Sequence, residues 1–200
     1  KYLILLLTAT GKRVIESIEA GDLVWAWDEA TGNVSLKEVI ETYENETTEL
    51  VHVFVNGDEI ISTPAHPFYL PDEGWTTAEY LESGDTVVLV NGEYDTIDEV
   101  YRETLSEPVT VYNFNVEDYH TYYVGKDSVL VHNKCSVSKN GVKIDVRTSN
   151  EHGLPHAHVS GGGKNTTVGL DMLPMKNHPP LTRKQIEVIK PNWSKIADDI

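Results

Sequence analysis

The sequence contains almost no cysteine and has no long apolar run. Cys135 is the only cysteine among 200 residues, so an internal disulfide and a multi-cysteine zinc site are both excluded. The apolar opening KYLILLL is too short to span a membrane, and no cleavage-site pattern follows it. We interpret it as a buried strand, and we expect any secretion signal to lie outside this sequence.

Basic residues are scarce in the first two thirds of the chain. Residues 1–133 carry 26 acidic and 6 basic side chains, whereas residues 134–200 carry 6 and 10. The net charge therefore changes from −20 to +4 at this point. Such asymmetry predicts two domains, 1–133 and 134–200, with different partners, and the basic one is suited to a polyanion.

Short runs rich in Val, Ile, Tyr, Trp and Thr dominate residues 1–133. Turn signals such as ATGN, VNGD, VNGE and GKDS separate these runs, which predicts an all-β unit. The runs are DLVWAW, LVHVFV, EIIST, TVVLV, VTVYNFNV and HTYYVG.

This part also contains an internal repeat. Residues 13–32 and 76–93 each combine a short helical turn, a Gly-Asp pair and a strand, and each is followed by a Glu-Val pair and a long strand. The repeated order predicts two β subdomains related by a pseudo-twofold axis, because each copy can bury its open face on the other.

Residues 134–200 have a different pattern. KIDVRTS and HAHVS are predicted strands, and GGGKN is predicted to be a flexible loop. Thr182 and Gln185 form a capping box, and Ile186, Ile189, Trp193 and Ile196 recur at helical spacing. Pro191 is expected to break or kink this helix. We therefore expect a small α+β domain with a C-terminal helix.

The stretch LVHNKC at the boundary suggests a self-cleavage reaction. The side-chain amide of Asn133 can attack its own carbonyl carbon, close a succinimide and expel the amine of Lys134. The reaction needs a held backbone, a polarised carbonyl and a proton donor for the departing nitrogen. His132 is adjacent in sequence, and an antiparallel strand can bring His120 to the same place.

A second pair of polar side chains lies in STPAHPFYL. Thr63 and His66 flank a tight turn that contains Pro64, at the end of a predicted strand. A hydroxyl and an imidazole at this spacing can converge on one carbonyl and activate it for acyl transfer.

Residues 1–133 resemble a Hint domain, the Hedgehog/intein autoprocessing fold, of the type that precedes toxin modules in bacterial polymorphic toxins. The matching stretches are TATGKRVIESIEAGD, STPAHPFYL, VYNFNVEDYHTYYVG and VLVHN. The resemblance implies that Asn133 cyclises with the help of His120 and His132. It also implies that Thr63 and His66 assist an amino-terminal acyl shift.

The sequence departs from this family at both ends of the domain. Counting back from the turn at Gly11 places the expected Cys or Ser nucleophile before Lys1, so the acyl shift is assigned to no residue. Splicing requires Cys, Ser or Thr directly after the terminal asparagine. Lys134 occupies that position and Cys135 follows it, so we expect cleavage without ligation.

The basic domain contains a dense histidine group in EHGLPHAHV. His156 and His158 share a face if HAHVS is a strand, and His152 can approach from the preceding loop. Two imidazoles suit acid and base catalysis of RNA cleavage, with Lys164, Arg183 or Lys184 holding the phosphate. Alternatively, these histidines ligate a divalent metal with Glu151 or Asp145, or belong to a polar surface loop.

The leading hypothesis is a self-cleaving domain of a secreted polymorphic toxin that releases a nuclease, with RNA as substrate. Self-cleavage needs no cofactor, and the expected partner is a cognate immunity protein. One alternative is an inactive Hint scaffold carrying a module that binds nucleic acid or an immunity protein. A splicing intein is the other, and Lys134 disfavours it.

Overall fold

The computed structural model describes residues 3–132, 136–147, 156–169 and 171–198. Its contacts divide the chain into two compact units, residues 1–133 and 134–200. Unit 1 is built from strands alone apart from two short 3-10 turns, Ile15–Ser17 and Ala78–Tyr80. Its strands are β1 (Leu5–Thr8), β2 (Gly11–Val14), β3 (Leu23–Trp27), β4 (Val34–Val55), β5 (Asp58–Ser62), β6 (Pro67–Leu70), β7 (Gly74–Thr77), β8 (Thr86–Val88), β9 (Tyr94–Val116), β10 (Thr121–Val124) and β11 (Val129–His132).

These strands form one continuous sheet. Its order is β7-β6-β11-β10-β1-β3-β4-β9-β8, with β2 paired to β1 and β5 paired to β4. The long strands β4 and β9 pair antiparallel from Val39↔Val116 to Val55↔Ile97, with register shifts along the way. Apolar side chains from both halves of the sheet form a single core, including Leu6, Val24, Phe68, Val87 and Phe114. The mainly β fold is confirmed.

The internal repeat has a structural counterpart on either side of the β4–β9 ribbon. β3 pairs with β4 and β8 pairs with β9, so the ribbon joins two equivalent hairpins. In each copy the Gly-Asp pair exchanges two backbone hydrogen bonds with one residue of the following long strand. These bonds are Gly21 N–H to Val39 O (2.8 Å), Val39 N–H to Asp22 O (2.8 Å), Gly84 N–H to Ile97 O (2.9 Å) and Ile97 N–H to Asp85 O (2.8 Å). Val39 therefore corresponds to Ile97. The Glu-Val pairs that follow the two repeats had suggested instead that Val39 corresponds to Val100.

In its described residues, unit 2 contains a four-stranded antiparallel sheet and one helix. The sheet has the order β12 (Ser136–Lys139), β13 (Val142–Arg147), β14 (His156–Gly161), β15 (Thr166–Val168), and the helix is α1 (Arg183–Asp198). Val142, Ile144, Val159, Val188 and Ile189 form its core. The small α+β fold is confirmed. Within the described ranges, no helix is long and apolar enough to cross a membrane.

One local expectation for unit 2, a break of the helix at Pro191, is wrong, because α1 continues through this residue. Ile186 is exposed, and the buried face of the first helical turns carries Gln185, Val188 and Ile189 instead. The helix turns this face to the sheet because Val188 and Ile189 pack against the apolar core.

The capping box at the start of α1 is present. The Thr182 amide donates to Gln185 Oε1 at 2.8 Å, and the Gln185 amide donates to Thr182 Oγ1 at 3.3 Å. Gln185 is fully buried, and its Nε2 also donates to the carbonyls of Gly161 and Lys164, each at 3.0 Å. The glycine loop is therefore held against the helix. A Cβ at Gly161 would overlap the carbonyl oxygen of Gly141, so close backbone packing requires glycine there.

Candidate active site

Three histidines lie at one edge of the β10–β11–β6 part of the sheet. Thr121, the first residue of β10, is the register partner of His132, the last residue of β11. β11 pairs with β6 through Val131↔Phe68, and β6 begins at Pro67. His120 and His66 directly precede β10 and β6 along the chain. The pairing therefore brings His66, His120 and His132 to the same edge.

His120 and His132 are neighbours at this edge, with ring centroids 6.5 Å apart. His120 has a left-handed backbone (φ 53°), which is uncommon outside glycine and is enriched at functional sites. Its Nδ1 is buried and has no hydrogen-bond partner among the described residues. A neutral imidazole with a free acceptor nitrogen at this position can take up a proton.

The turn before His120 is anchored by a lysine from β4. Lys37 Nζ lies 2.9 Å from Asp118 Oδ2 and 4.3 Å from the centroid of the Tyr119 ring. The hydrogen bond to Asp118 raises the pKa of Lys37, so this cation persists through the physiological range. Asp118 and His120 both have positive φ values. The lysine contacts stabilise the turn that holds His120 in its left-handed conformation.

Thr63 and His66 form the predicted turn. The His66 amide donates to the Thr63 carbonyl at 3.1 Å, and the carbonyls of Pro64 and His66 accept from Glu79 and Ala78, each at 2.9 Å. The 3-10 turn of the second repeat thus fixes this loop.

The His66 ring contacts residues of the sheet core. It packs against Phe68, and its Nε2 lies 3.4 Å from the hydroxyl of Tyr122. Burial raises the pKa of Tyr122 above its usual range, so the phenol stays neutral.

His132 lies against an aromatic cluster that the sequence analysis did not identify. Its ring packs edge-on against Trp75 with centroids 4.8 Å apart, and Trp75 packs against Tyr69 at 4.9 Å and Trp27 at 6.3 Å. Trp75 and Tyr69 are register partners on β7 and β6, so pairing between three strands assembles this cluster. GWTT gives no local signal of this role. Asn133 and Lys134, the predicted cleavage pair, lie outside the described residues.

In unit 2 the structure brings together two of the predicted residues. His156 and His158 are on one face of β14, with their Nε2 atoms 3.1 Å apart, and Thr167 Oγ1 lies 3.4 Å from Nδ1 of His158. Lys164 and Arg183 are exposed, and Arg183 pairs with Glu187 at 3.0 Å on the surface of α1.

Several predicted interactions in this unit are not observed. Neither Lys164 nor Arg183 contacts the histidine pair within the described part of the chain. His152 and Glu151 lie outside the described residues. No group of three or more metal-ligating side chains occurs within the described ranges. Asp145, the other candidate ligand, lies on β13 as the register partner of His158.

The continuous curled sheet, its duplicated hairpins and the histidine edge define a Hint/intein-like domain. Residues 5–134 match the family model of the pretoxin HINT domain, and the chain belongs to this family. Family and fold together support an autoproteolytic, self-processing function for unit 1. Residues 135–200 lie beyond the match.

Solved structures are consistent with this family. A bacterial intein-like domain from Clostridium thermocellum is 46% identical, with 65% of this chain and 94% of that one covered and a TM-score of 0.63. Two inteins of lower identity share the fold. A variant of the Ssp DnaB mini-intein is 17% identical, with 68% of this chain and 93% of that one covered and a TM-score of 0.58. The gp41-1 intein is 22% identical, with 65% of this chain and 94% of that one covered and a TM-score of 0.53. A search of curated proteins gave no significant match.

Proposed function

We propose that unit 1 cleaves the bond between Asn133 and Lys134 by asparagine cyclisation and releases residues 134–200 as an effector. The observation that carries the proposal is the His120–His132 pair, 6.5 Å apart at the end of β11. Asn133 is the next residue of the chain, so the chemistry would take place beside this pair.

The proposed reaction gives each histidine a separate role. The Asn133 side-chain nitrogen attacks the Asn133 carbonyl carbon and loses a proton to Nδ1 of His120. The bond to the Lys134 nitrogen breaks, and this nitrogen leaves as an amine after taking a proton from His132. The reaction therefore needs one imidazole as the base and the other as the acid.

The residue after the cleaved bond supports release rather than splicing. Lys134 has no hydroxyl or thiol to take over an acyl chain, so no branched intermediate forms at this position. Thr63 and His66 form the turn to which the resemblance assigns a role in an amino-terminal acyl shift. In this proposal they are spectators of the carboxy-terminal cleavage.

Mass spectrometry of the purified chain tests the proposal. Cyclisation adds no water, so the masses of the two new fragments should sum to that of the intact chain. Hydrolysis by a contaminating protease would add one water. The second fragment should begin at Lys134. Cleavage should be absent in Asn133→Ala; cleavage that persists in that variant would rule out the mechanism.

For the released segment, a nuclease is the second part of the proposal. It is supported by the close His156–His158 pair and by the net positive charge of residues 134–200, and RNA is the proposed substrate. RNA integrity should fall after addition of the cleaved chain and stay unchanged with the cleaved His156→Ala/His158→Ala variant. Intact RNA in both samples would leave a non-enzymatic binding module as the better description.

The pretoxin family supports a secreted toxin as the biological setting, and a cognate immunity protein is the proposed partner. Such a partner would bind the released segment and block its activity. Co-expression of a protein isolated by its binding to residues 134–200 should restore growth of cells that contain the cleaved effector. Loss of growth in its presence would argue against that pairing.

A further inference from the structure

Trp75 contacts His132, the proposed general acid. Its ring centroid lies 4.8 Å from that of His132, at an interplanar angle of 69°. The indole N–H donates to Glu29 Oε2 at 3.2 Å. Tyr69 packs against the same indole at 4.9 Å, so the ring is held from two further sides.

The sheet determines this contact. β7 carries Trp75 and pairs with β6, and β6 pairs with β11, which ends at His132. Trp27 contacts both Tyr69 and Trp75, and it is bound through its backbone to Thr121, the register partner of His132. The indole is therefore part of a packed cluster and stays beside His132.

We propose that Trp75 is a positioning residue that stabilises the imidazolium form of His132 and thereby makes His132 the acid of the cleavage reaction. In this T-shaped pair, with the edge of the imidazole on the face of the indole, a positive charge on the imidazole is attracted by the negative face of the ring, whereas neutral imidazole gains much less. The hydrogen bond from the indole N–H to the Glu29 carboxylate increases electron density in the ring. The proposal rests on the self-cleavage function of unit 1.

Several titratable groups lie on the elements around His132. They are His120, which directly precedes β10, Tyr122 on β10, His66, which directly precedes β6, Tyr69 on β6, and Glu29 in the β3–β4 turn. Glu29 adds a negative charge behind the indole, which acts in the same direction as the ring.

The first experiment measures His132 directly in a chain that does not cleave. Histidine-labelled Asn133→Ala protein is titrated by NMR, and the His132 signal is identified by its absence from Asn133→Ala/His132→Gln. Adding Trp75→Leu should weaken proton binding at His132 about two- to five-fold. Trp75→Phe, which keeps a ring, should lose less. Tyr80→Leu, an exposed aromatic in the 3-10 turn of the second repeat, is the control and should change nothing.

The second experiment uses the cleaving chain. Trp75→Leu should move the alkaline limb of the cleavage pH profile to lower pH by the same factor, so that the rate recovers as the pH is lowered. An equal loss of rate at every pH would mean that Trp75 only supports the fold and would overturn the proposal. So would an unchanged His132 titration. If Trp75→Leu does not fold, Trp75→Phe and Glu29→Gln carry the test, with a smaller shift in the same direction.

Failure of the proposed function gives a different result. A parent chain that stays intact at every pH contradicts self-cleavage, whereas the NMR titration in Asn133→Ala still reports whether Trp75 stabilises protonated His132.

Discussion

Thr121 and Trp27 are joined by two reciprocal hydrogen bonds. Thr121 Oγ1 accepts from the backbone N–H of Trp27 and donates to its backbone carbonyl, both at 2.7 Å. Thr121 is buried, follows His120 directly and pairs with His132. A single hydroxyl therefore connects the end of β3 to the edge that carries both proposed catalytic histidines.

Thr121→Val should destabilise unit 1 and slow cleavage, because it keeps the shape of the side chain but leaves the Trp27 N–H and carbonyl without this partner. We expect a loss of about 2 to 4 kcal/mol in the free energy of unfolding. Denaturation followed by tryptophan fluorescence measures it, since Trp25, Trp27 and Trp75 all lie in unit 1. Thr104→Val, at an exposed site on β9, should stay close to the parent. Equal stability of the two variants would contradict a structural role for the Thr121 hydroxyl.

His120→Asn should abolish most cleavage without unfolding the domain. Asparagine tolerates the left-handed backbone at this position, but it cannot act as the base. We expect the cleavage rate to fall about 100- to 10,000-fold, the usual loss when a general base is removed. The rate is measured from the appearance of the fragment beginning at Lys134. His178→Asn in unit 2 is the matched control, and a similar loss there would show that the effect is not specific to the site.

The stability of unit 1 should fall above pH 10 because two buried tyrosines resist ionisation. Burial raises the pKa of Tyr123 to about 12 and that of Tyr122 further, from an ordinary value of 10. The folded state therefore holds these protons more tightly than the unfolded state. Their contribution is complete below pH 10 and is lost as the pH rises towards the folded pKa values.

Denaturant unfolding at pH 8, 10 and 11 measures this loss. Tyr122→Phe/Tyr123→Phe should show a shallower decline between pH 10 and pH 11 than the parent. Tyr94→Phe, at a site that is 65% exposed, should decline as the parent does. If the free energy of unfolding falls with the same slope against pH in all three proteins, the phenols of Tyr122 and Tyr123 ionise without unfolding.

Gln185→Ala should loosen unit 2 because it removes the capping box and leaves the carbonyls of Gly161 and Lys164 without their donor. The expected loss is about 2 to 3 kcal/mol. Amide hydrogen exchange in β13 and β14 should become roughly 30- to 160-fold faster, while exchange in unit 1 stays the same. Glu187→Ala, which removes an exposed helix pair, should change exchange by less than about two-fold. Faster exchange in both variants would point to a general sensitivity of α1 to substitution rather than to the contacts of Gln185.

Much of unit 1 could be predicted because its signals are local or repeated. The alternation of β-branched and aromatic residues indicated the strands, and the repeat around Gly21 and Gly84 indicated two equivalent hairpins. TPAHP specified its own turn, since Pro64 fixes one backbone angle and the Thr63 carbonyl accepts within the same four residues. In unit 2, Thr182 and Gln185 gave the start of α1 for the same reason.

The sequence by itself therefore determined the β content, the repeat, the two helix-cap residues and the candidate histidines. Only the tertiary structure decided which side chains stand beside them, because those neighbours come from strands far apart in the chain. Trp75 reaches His132 through two successive strand pairings, and Thr121 meets Trp27 across 94 residues of sequence. Ile186 is an example of a residue whose burial the sequence could not decide. Its helical spacing allows it to be buried, but the packing of Val188 and Ile189 on the sheet turns it towards solvent.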